Sequence, residues 1–136
     1  MRFIDANVIL RYLTRDDERK AEAVYQLLQR VKIGQEEITT TEAIVSEIVY
    51  VLASPRLYNL PADDIRARLV PILKLRGFKL PQKHVYLDAL DTYATSPFLD
   101  FEDAMAIAQM RRLKIGEILS YDADFDRVPN VRRTEP

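Results

Sequence analysis

Strand-like apolar runs that alternate with helix-patterned segments predict an α/β fold built on a mainly parallel sheet covered by helices on both faces. Two observations support it. The runs Arg2–Ile4, Glu37–Thr39, Phe78–Leu80 and Glu117–Ser120 are short and apolar or mixed, whereas the stretches separating the first three carry apolar residues at helical spacing. At 136 residues, 48% hydrophobic and 30% charged, the chain has enough apolar surface for one core, and residues 1–136 are expected to form a single domain.

After the first strand, Asn7–Leu13 reads as a short helix. Asp16–Val31 reads as a longer one, with Ala23, Val24, Leu27, Leu28 and Val31 on one face. Asp16, Asp17 and Glu18 stand in its first turn, where the helix dipole favours negative charge, and Gly34 stops it. The second strand leads to a helix capped by Thr40 or Thr41 that runs to Ala53. It carries Ile44, Ile48, Val51 and Leu52 inward and ends at Ser54-Pro55. Pro61–Leu75 has helical spacing, but Pro71 should kink or split it. Gly77 releases the chain into the third strand, and Gln82–Ala94 forms the next helix. Asp100–Leu113 is a further helix with Ala104, Ile107, Ala108 and Met110 available for packing. The fourth strand follows, and a fifth lies near Asn130–Arg133, which makes a sheet of four or five strands.

Composition excludes several chemistries. With no cysteine and the single histidine His84, disulfides, thiolate catalysis and Cys- or His-rich metal sites are ruled out. No apolar stretch approaches the roughly 20 residues of a membrane span, and the N-terminus lacks the apolar region of a signal peptide. A soluble, cytoplasmic protein is therefore expected. Net charge is −1, compatible with either a small substrate or a nucleic acid. Basic clusters occur at Arg11/Arg15/Arg19/Lys20, Lys74/Arg76/Lys79/Lys83, Arg111/Arg112/Lys114 and Arg132/Arg133, and ordinary solvated helix faces and ends account for any one of them.

Four acids in apolar surroundings stand out: Asp5, Glu47, Asp103 and Asp122. Asp5 lies where a buried strand stops and a helix begins, at the carboxyl edge of the sheet where open α/β folds bind ligands. It also reads as an N-cap, although Asn7 two residues on can orient a carboxylate. Glu47 sits mid-helix among branched apolar residues, with a solvent-reaching edge position as the plain reading. Asp100 and Asp103 make a capping-box pattern, which accounts for Asp100, while Asp103 can serve both a cap and a site. Asp122 and Asp124 follow the fourth strand in an Asp-rich turn, where local hydrogen bonding competes with function. Gathered together, these carboxylates would form a hard oxygen cage suited to Mg²⁺ or Mn²⁺.

In order, Phe3-Ile4-Asp5-Ala6-Asn7-Val8-Ile9-Leu10, Ser46-Glu47-Ile48-Val49-Tyr50-Val51-Leu52, Phe101-Glu102-Asp103-Ala104-Met105-Ala106-Ile107-Ala108 and Leu119-Ser120-Tyr121-Asp122-Ala123-Asp124-Phe125 resemble the PIN-domain family. The likeness is greatest to the stand-alone toxins of VapBC-type toxin–antitoxin modules. It implies a three-layer α/β/α sandwich with a central parallel sheet and a metal-dependent endoribonuclease using Mg²⁺ or Mn²⁺, with products bearing 5′-phosphate and 3′-hydroxyl ends. By the same resemblance Asp5, Glu47, Asp103 and Asp122 match the acidic quartet, Asp124 an auxiliary acid, Asn7 a polar companion of Asp5, and Ser120 the small hydroxyl residue ending the fourth strand. An RNA substrate, a cognate antitoxin and a homodimer are the partners it implies. Tyr121 departs from the Arg or Asn of many members.

Two rivals compete with this reading. A phosphatase of the haloacid-dehalogenase type also places an aspartate after its first strand, but needs an acid two residues on where this chain has Asn7. A catalytically silent PIN-like module that binds RNA or protein would have no need of all four acids.

Overall fold

In the computed structural model, which describes all of residues 1–136, strand β1 is Arg2–Phe3 and pairs in parallel with β2, Ile38–Thr39. The register Phe3↔Thr39 brings the two strands out level, so that the chain leaves each at the same end. Helix α1 (Ala6–Thr14) starts directly after β1, and α3 (Glu42–Ala53) directly after β2. The buried Thr40 hydroxyl donates to the Ile4 carbonyl at 2.9 Å. This bond satisfies a polar group inside the core and ties the two strand ends together.

These elements belong to a compact unit formed by Met1–Lys83, and a second unit comprises His84–Pro136. In the first, α2 (Glu18–Lys32) packs on α1, while α3 packs on α1 and on α4, Ala62–Leu73. Asp17 caps α2 by accepting from the Lys20 amide, and Thr41 caps α3 by accepting from the Ile44 amide. Gly34, at φ 79°, turns the chain after α2.

Three expectations are corrected here. The residues that α3 buries are Val45, Ile48, Val49 and Leu52, whereas Ile44 and Val51 are half-buried, so the apolar stripe is rotated from the expected one. α4 is not split at Pro71, which lies in its last turn where a single carbonyl loses its partner. Phe78–Leu80 forms only one bridge, Ile38↔Phe78, held by bonds of 2.8 Å from the Ile38 amide to Gly77 and from the Lys79 amide to Ile38.

In the second unit, α5 (Lys83–Thr95, beginning at the unit boundary) and α6 (Phe101–Leu113) precede β3, Glu117–Leu119. A 3₁₀ turn, Ala123–Arg127, then leads to β4, Arg132–Thr134, which pairs with β3 in parallel. Leu99, Ile107, Phe125 and Val128 form a buried cluster beneath it. The ring of Tyr93 meets Phe101 edge-on, with centroids 6.1 Å apart. The protein is thus mixed α/β, with six helices and short parallel strands in two pairs. No helix is long and apolar enough to cross a membrane.

Candidate functional site

Asp5 leaves β1 in an extended conformation, φ −97°, ψ 177°, and caps α1 by accepting from the Asn7 amide at 3.0 Å. The bond engages one carboxylate oxygen and leaves the other free at an exposed position. The bond to Asp5 comes from the Asn7 backbone amide and not from its side chain. Its side chain is exposed and lines a shallow hollow between α1 and α2 together with Arg11 and Lys20.

Glu47 stands on α3 one and a half turns beyond the Thr41 cap, on an exposed face shared with Ala43 and Tyr50. Its neighbours Val45, Ile48 and Val49 turn inward, which explains the apolar sequence around a solvent-facing acid.

In the second unit, Asp100 caps α6 by accepting from the Asp103 amide at 2.8 Å. Asp103 itself is half-buried. Its carboxyl group is pushed from an ordinary value of 3.8 up to about 6, first by burial, then by the charges of Asp100 and Asp122, a hydrogen bond with Asp100, and Glu102. Asp103 and Asp122 are thus close enough to repel one another. Asp122 follows β3 and caps the 3₁₀ turn by accepting from the Asp124 amide at 2.9 Å, while its own amide donates to the Ser120 hydroxyl at 3.0 Å. Ser120 therefore shapes the turn that presents Asp122.

No lysine or arginine forms an ion pair with Asp5, Glu47, Asp103 or Asp122. Asp124 differs, lying 4.0 Å from Arg127, whose guanidinium stacks 3.8 Å above the Phe98 ring. That stack joins the 3₁₀ turn to the segment entering α6, adding a cation–π contact to the Leu99, Ile107, Phe125 and Val128 cluster that already links the stretches bearing Asp103 and Asp122.

Sequence reasoning missed Arg133. Its guanidinium grips Asp126 with two bonds of 3.1 Å and donates to the Ser120 carbonyl at 3.0 Å, bracing the turn after β3. The only signal in the sequence was the Arg132-Arg133 pair, and its role depends on β4 lying beside β3. Asp16, expected to serve the α2 dipole, instead accepts from the Tyr58 hydroxyl.

Residues 2–131 match the PIN domain. The chain belongs to the PIN-domain family. No curated protein sequence matches it. Membership gives a nuclease-type fold, and PIN nucleases generally act on nucleic acid with divalent metal ions.

The donor set fits such an ion in its chemistry. Asp103 and Asp122 are carboxylates that repel one another; neither forms an ion pair, although the Arg133 charge reaches Asp122, and their mutual repulsion is what a hard cation corrects. No group of three or more Asp, Glu, His or Cys side chains is placed to hold a metal ion; Asp5 and Glu47 belong to the first unit, Asp103 and Asp122 to the second.

Proposed function

We propose that this PIN domain is a metal-dependent endoribonuclease that hydrolyses RNA phosphodiester bonds, leaving 5′-phosphate and 3′-hydroxyl ends. The observation that carries the reading is that, in a chain of this family, Asp103 and Asp122 are close enough to repel one another and none of the four acids forms an ion pair. Several acids elsewhere on the chain do form one, among them Glu36, Asp64, Asp88, Glu117 and Asp126. Among the four, Asp103 carries a charge penalty, set first by burial and then by Asp100 and Asp122, and a bound cation would relieve it.

Mg²⁺ or Mn²⁺ would be held by Asp5, Glu47, Asp103 and Asp122, with Asp124 as an auxiliary, and when bound would supply the Lewis acidity that makes water nucleophilic at neutral pH. The chain's own groups prepare for this. The Asn7 amide fixes one oxygen of Asp5 and leaves the other available. The Asp100 carboxylate holds the first turn of α6, and the Ser120 hydroxyl and Arg133 hold the turn bearing Asp122. Asp5, Asp103 and Asp122 are therefore set by short local bonds, so little conformational entropy is lost at these three on binding an ion, whereas Glu47 is an exposed side chain that must be ordered.

The same reading includes one three-layer domain with a single central sheet of four or five strands, a cytoplasmic location, a homodimer, and the toxin half of a VapBC-type pair whose antitoxin covers the acids. The match from residue 2 to residue 131, which takes in strands and helices of both units, supports the single domain.

The test is incubation of purified protein with total RNA and Mg²⁺ or Mn²⁺, with the cut ends mapped, beside the Asp5→Asn variant. Asparagine caps a helix as well as aspartate does, so the variant should keep its fold and lose cleavage. Cleavage by the variant at the wild-type rate refutes the assignment.

A further inference from the structure

Three cations face one hollow where the chain passes from α4 towards α5. Arg76, Lys79 and Lys83 line a cavity of about 420 Å³ in the first unit. No acidic side chain lines it, and none of the three has an ion-pair partner. Four other cations of this unit are paired: Arg2 and Arg30 share Glu36, Arg15 holds Glu18, and Arg68 holds Asp64. Burial, with Lys79 alongside, holds the Lys83 ammonium below its ordinary pKa, so positive charge is concentrated here with nothing to relieve it.

The backbone fixes this placement. A Cβ on Gly77 would lie 2.2 Å from the Glu36 carbonyl oxygen and 2.8 Å from that of Val31. The peptide joining Arg76 to Phe78 is therefore locked against the end of α2 and the start of β2. The Thr39 hydroxyl donates to the Lys79 carbonyl, anchoring Lys79 to β2. Gln82 adopts a left-handed φ of 56°, turning the chain so that Lys83 lines the same hollow as Lys79. The rest of the lining is Thr39 and an apolar part from Met1, Leu80 and Pro81, with Phe78 fully buried behind it.

We propose that this cavity binds the phosphate group of a nucleotide, with Arg76, Lys79 and Lys83 around the phosphate and the apolar wall against the base or sugar. A carboxylate would offset one of three positive charges. A phosphate monoester carries about −1.5 to −2 at neutral pH and offers three strong acceptor oxygens, and arginine engages it through its fork of donors. The volume is within the roughly 300–1,000 Å³ of small-ligand sites. A free nucleotide and an RNA strand present the same group, and the inference does not depend on the acidic residues.

Calorimetric titration of the full chain in EDTA with 5′-AMP, inorganic phosphate and a short single-stranded oligoribonucleotide tests it. The comparison proteins are the Lys79→Ala/Lys83→Ala double variant, Arg76→Ala and Asp5→Asn. Arg76 is exposed, so its truncation should leave the fold intact, and thermal melting checks both cavity variants. AMP should bind, and each cavity variant should bind it about tenfold or more weakly, as expected for loss of charge-assisted hydrogen bonds. Asp5→Asn should bind as wild type does, which separates this site from the nuclease reading. Tighter binding of AMP than of the oligomer supports a free nucleotide, and the reverse supports a strand. Absence of AMP binding at millimolar concentration, unchanged AMP affinity in the cavity variants, or inorganic phosphate binding as tightly as AMP each overturns the proposal.

Discussion

Asp103→Asn should stabilise the metal-free protein at alkaline pH and do nothing for it in acid. The carboxyl group keeps its proton in the folded state up to about 6, against an ordinary value of 3.8. Below 3.8 it is protonated whether folded or unfolded, and no penalty exists. Between the two values the unfolded chain releases its proton first, so stability is lost as pH rises; above 6 the whole penalty applies. The gap of 2.2 (6 − 3.8) corresponds to about 3 kcal/mol at 1.36 kcal/mol per unit. Asp103 is only half-buried, and solvent screening reduces this to roughly 1–2 kcal/mol. An asparagine amide has no charge to bury and can still donate to Asp100. For a chain of this size that gain should raise Tm by about 3–8 °C. Thermal unfolding in EDTA at pH 8 and pH 3.5, for wild type and variant, measures it. A variant no more stable than wild type at pH 8, or equally favoured at both pH values, refutes the account of Asp103.

Addition of Mn²⁺ at pH 8 should raise the Tm of the wild type, since an ion that binds only the folded state stabilises it by mass action. Glu47→Gln should lose most of that rise while melting at the wild-type temperature without metal, because Glu47 is exposed and unpaired. An equal Mn²⁺ response in both proteins removes Glu47 from the ligand set. Gly77→Ala should destabilise the chain by about 3 kcal/mol or more, since its Cβ would meet two backbone carbonyl oxygens at 2.2 and 2.8 Å; a urea midpoint near that of wild type argues against the close approach. Phe98→Ala should cost about 2–4 kcal/mol for the half-buried ring and its cation–π contact, read by urea denaturation, and it should lower the RNA-cleavage rate by loosening the link between the Asp103 and Asp122 segments. Unchanged cleavage by folded Phe98→Ala excludes that positioning role.

Local features were legible from the sequence because their causes are local. Thr41 and Asp100 cap helices through amides three residues ahead, a distance that dihedral preferences alone determine, while Asp17, read as a first-turn acid, proves to be the cap of α2. Asp5 and Asp122 were recognisable as acids at strand ends, since an apolar run followed by a cap is written in consecutive residues. The dual reading of Asp103 also came from adjacent positions, as first-turn acid and as candidate ligand. The inward face of α3 was not legible, because a stripe of Ile, Val and Leu wraps most of that helix and only its packing against α1 and α4 selects Val45 and Val49 over Ile44 and Val51. The extent of the third strand was hidden for a similar reason: a strand exists only where a neighbour pairs, and β2 is two residues long.

By itself, the sequence determined the α/β class, the helices with their caps, the absence of thiol and His-rich chemistry, and the acids to inspect, all of which follow from residue type and short-range spacing. Tertiary structure alone decided which charges are compensated. Asp16 meets Tyr58 across 42 positions, Arg133 reaches Asp126 and Ser120 only because β4 lies beside β3, and Arg76, Lys79 and Lys83 are left facing one cavity without an acid. The physical reason is that a charge's free energy depends on its distance to other charges and to water in space, and separation along the chain sets neither.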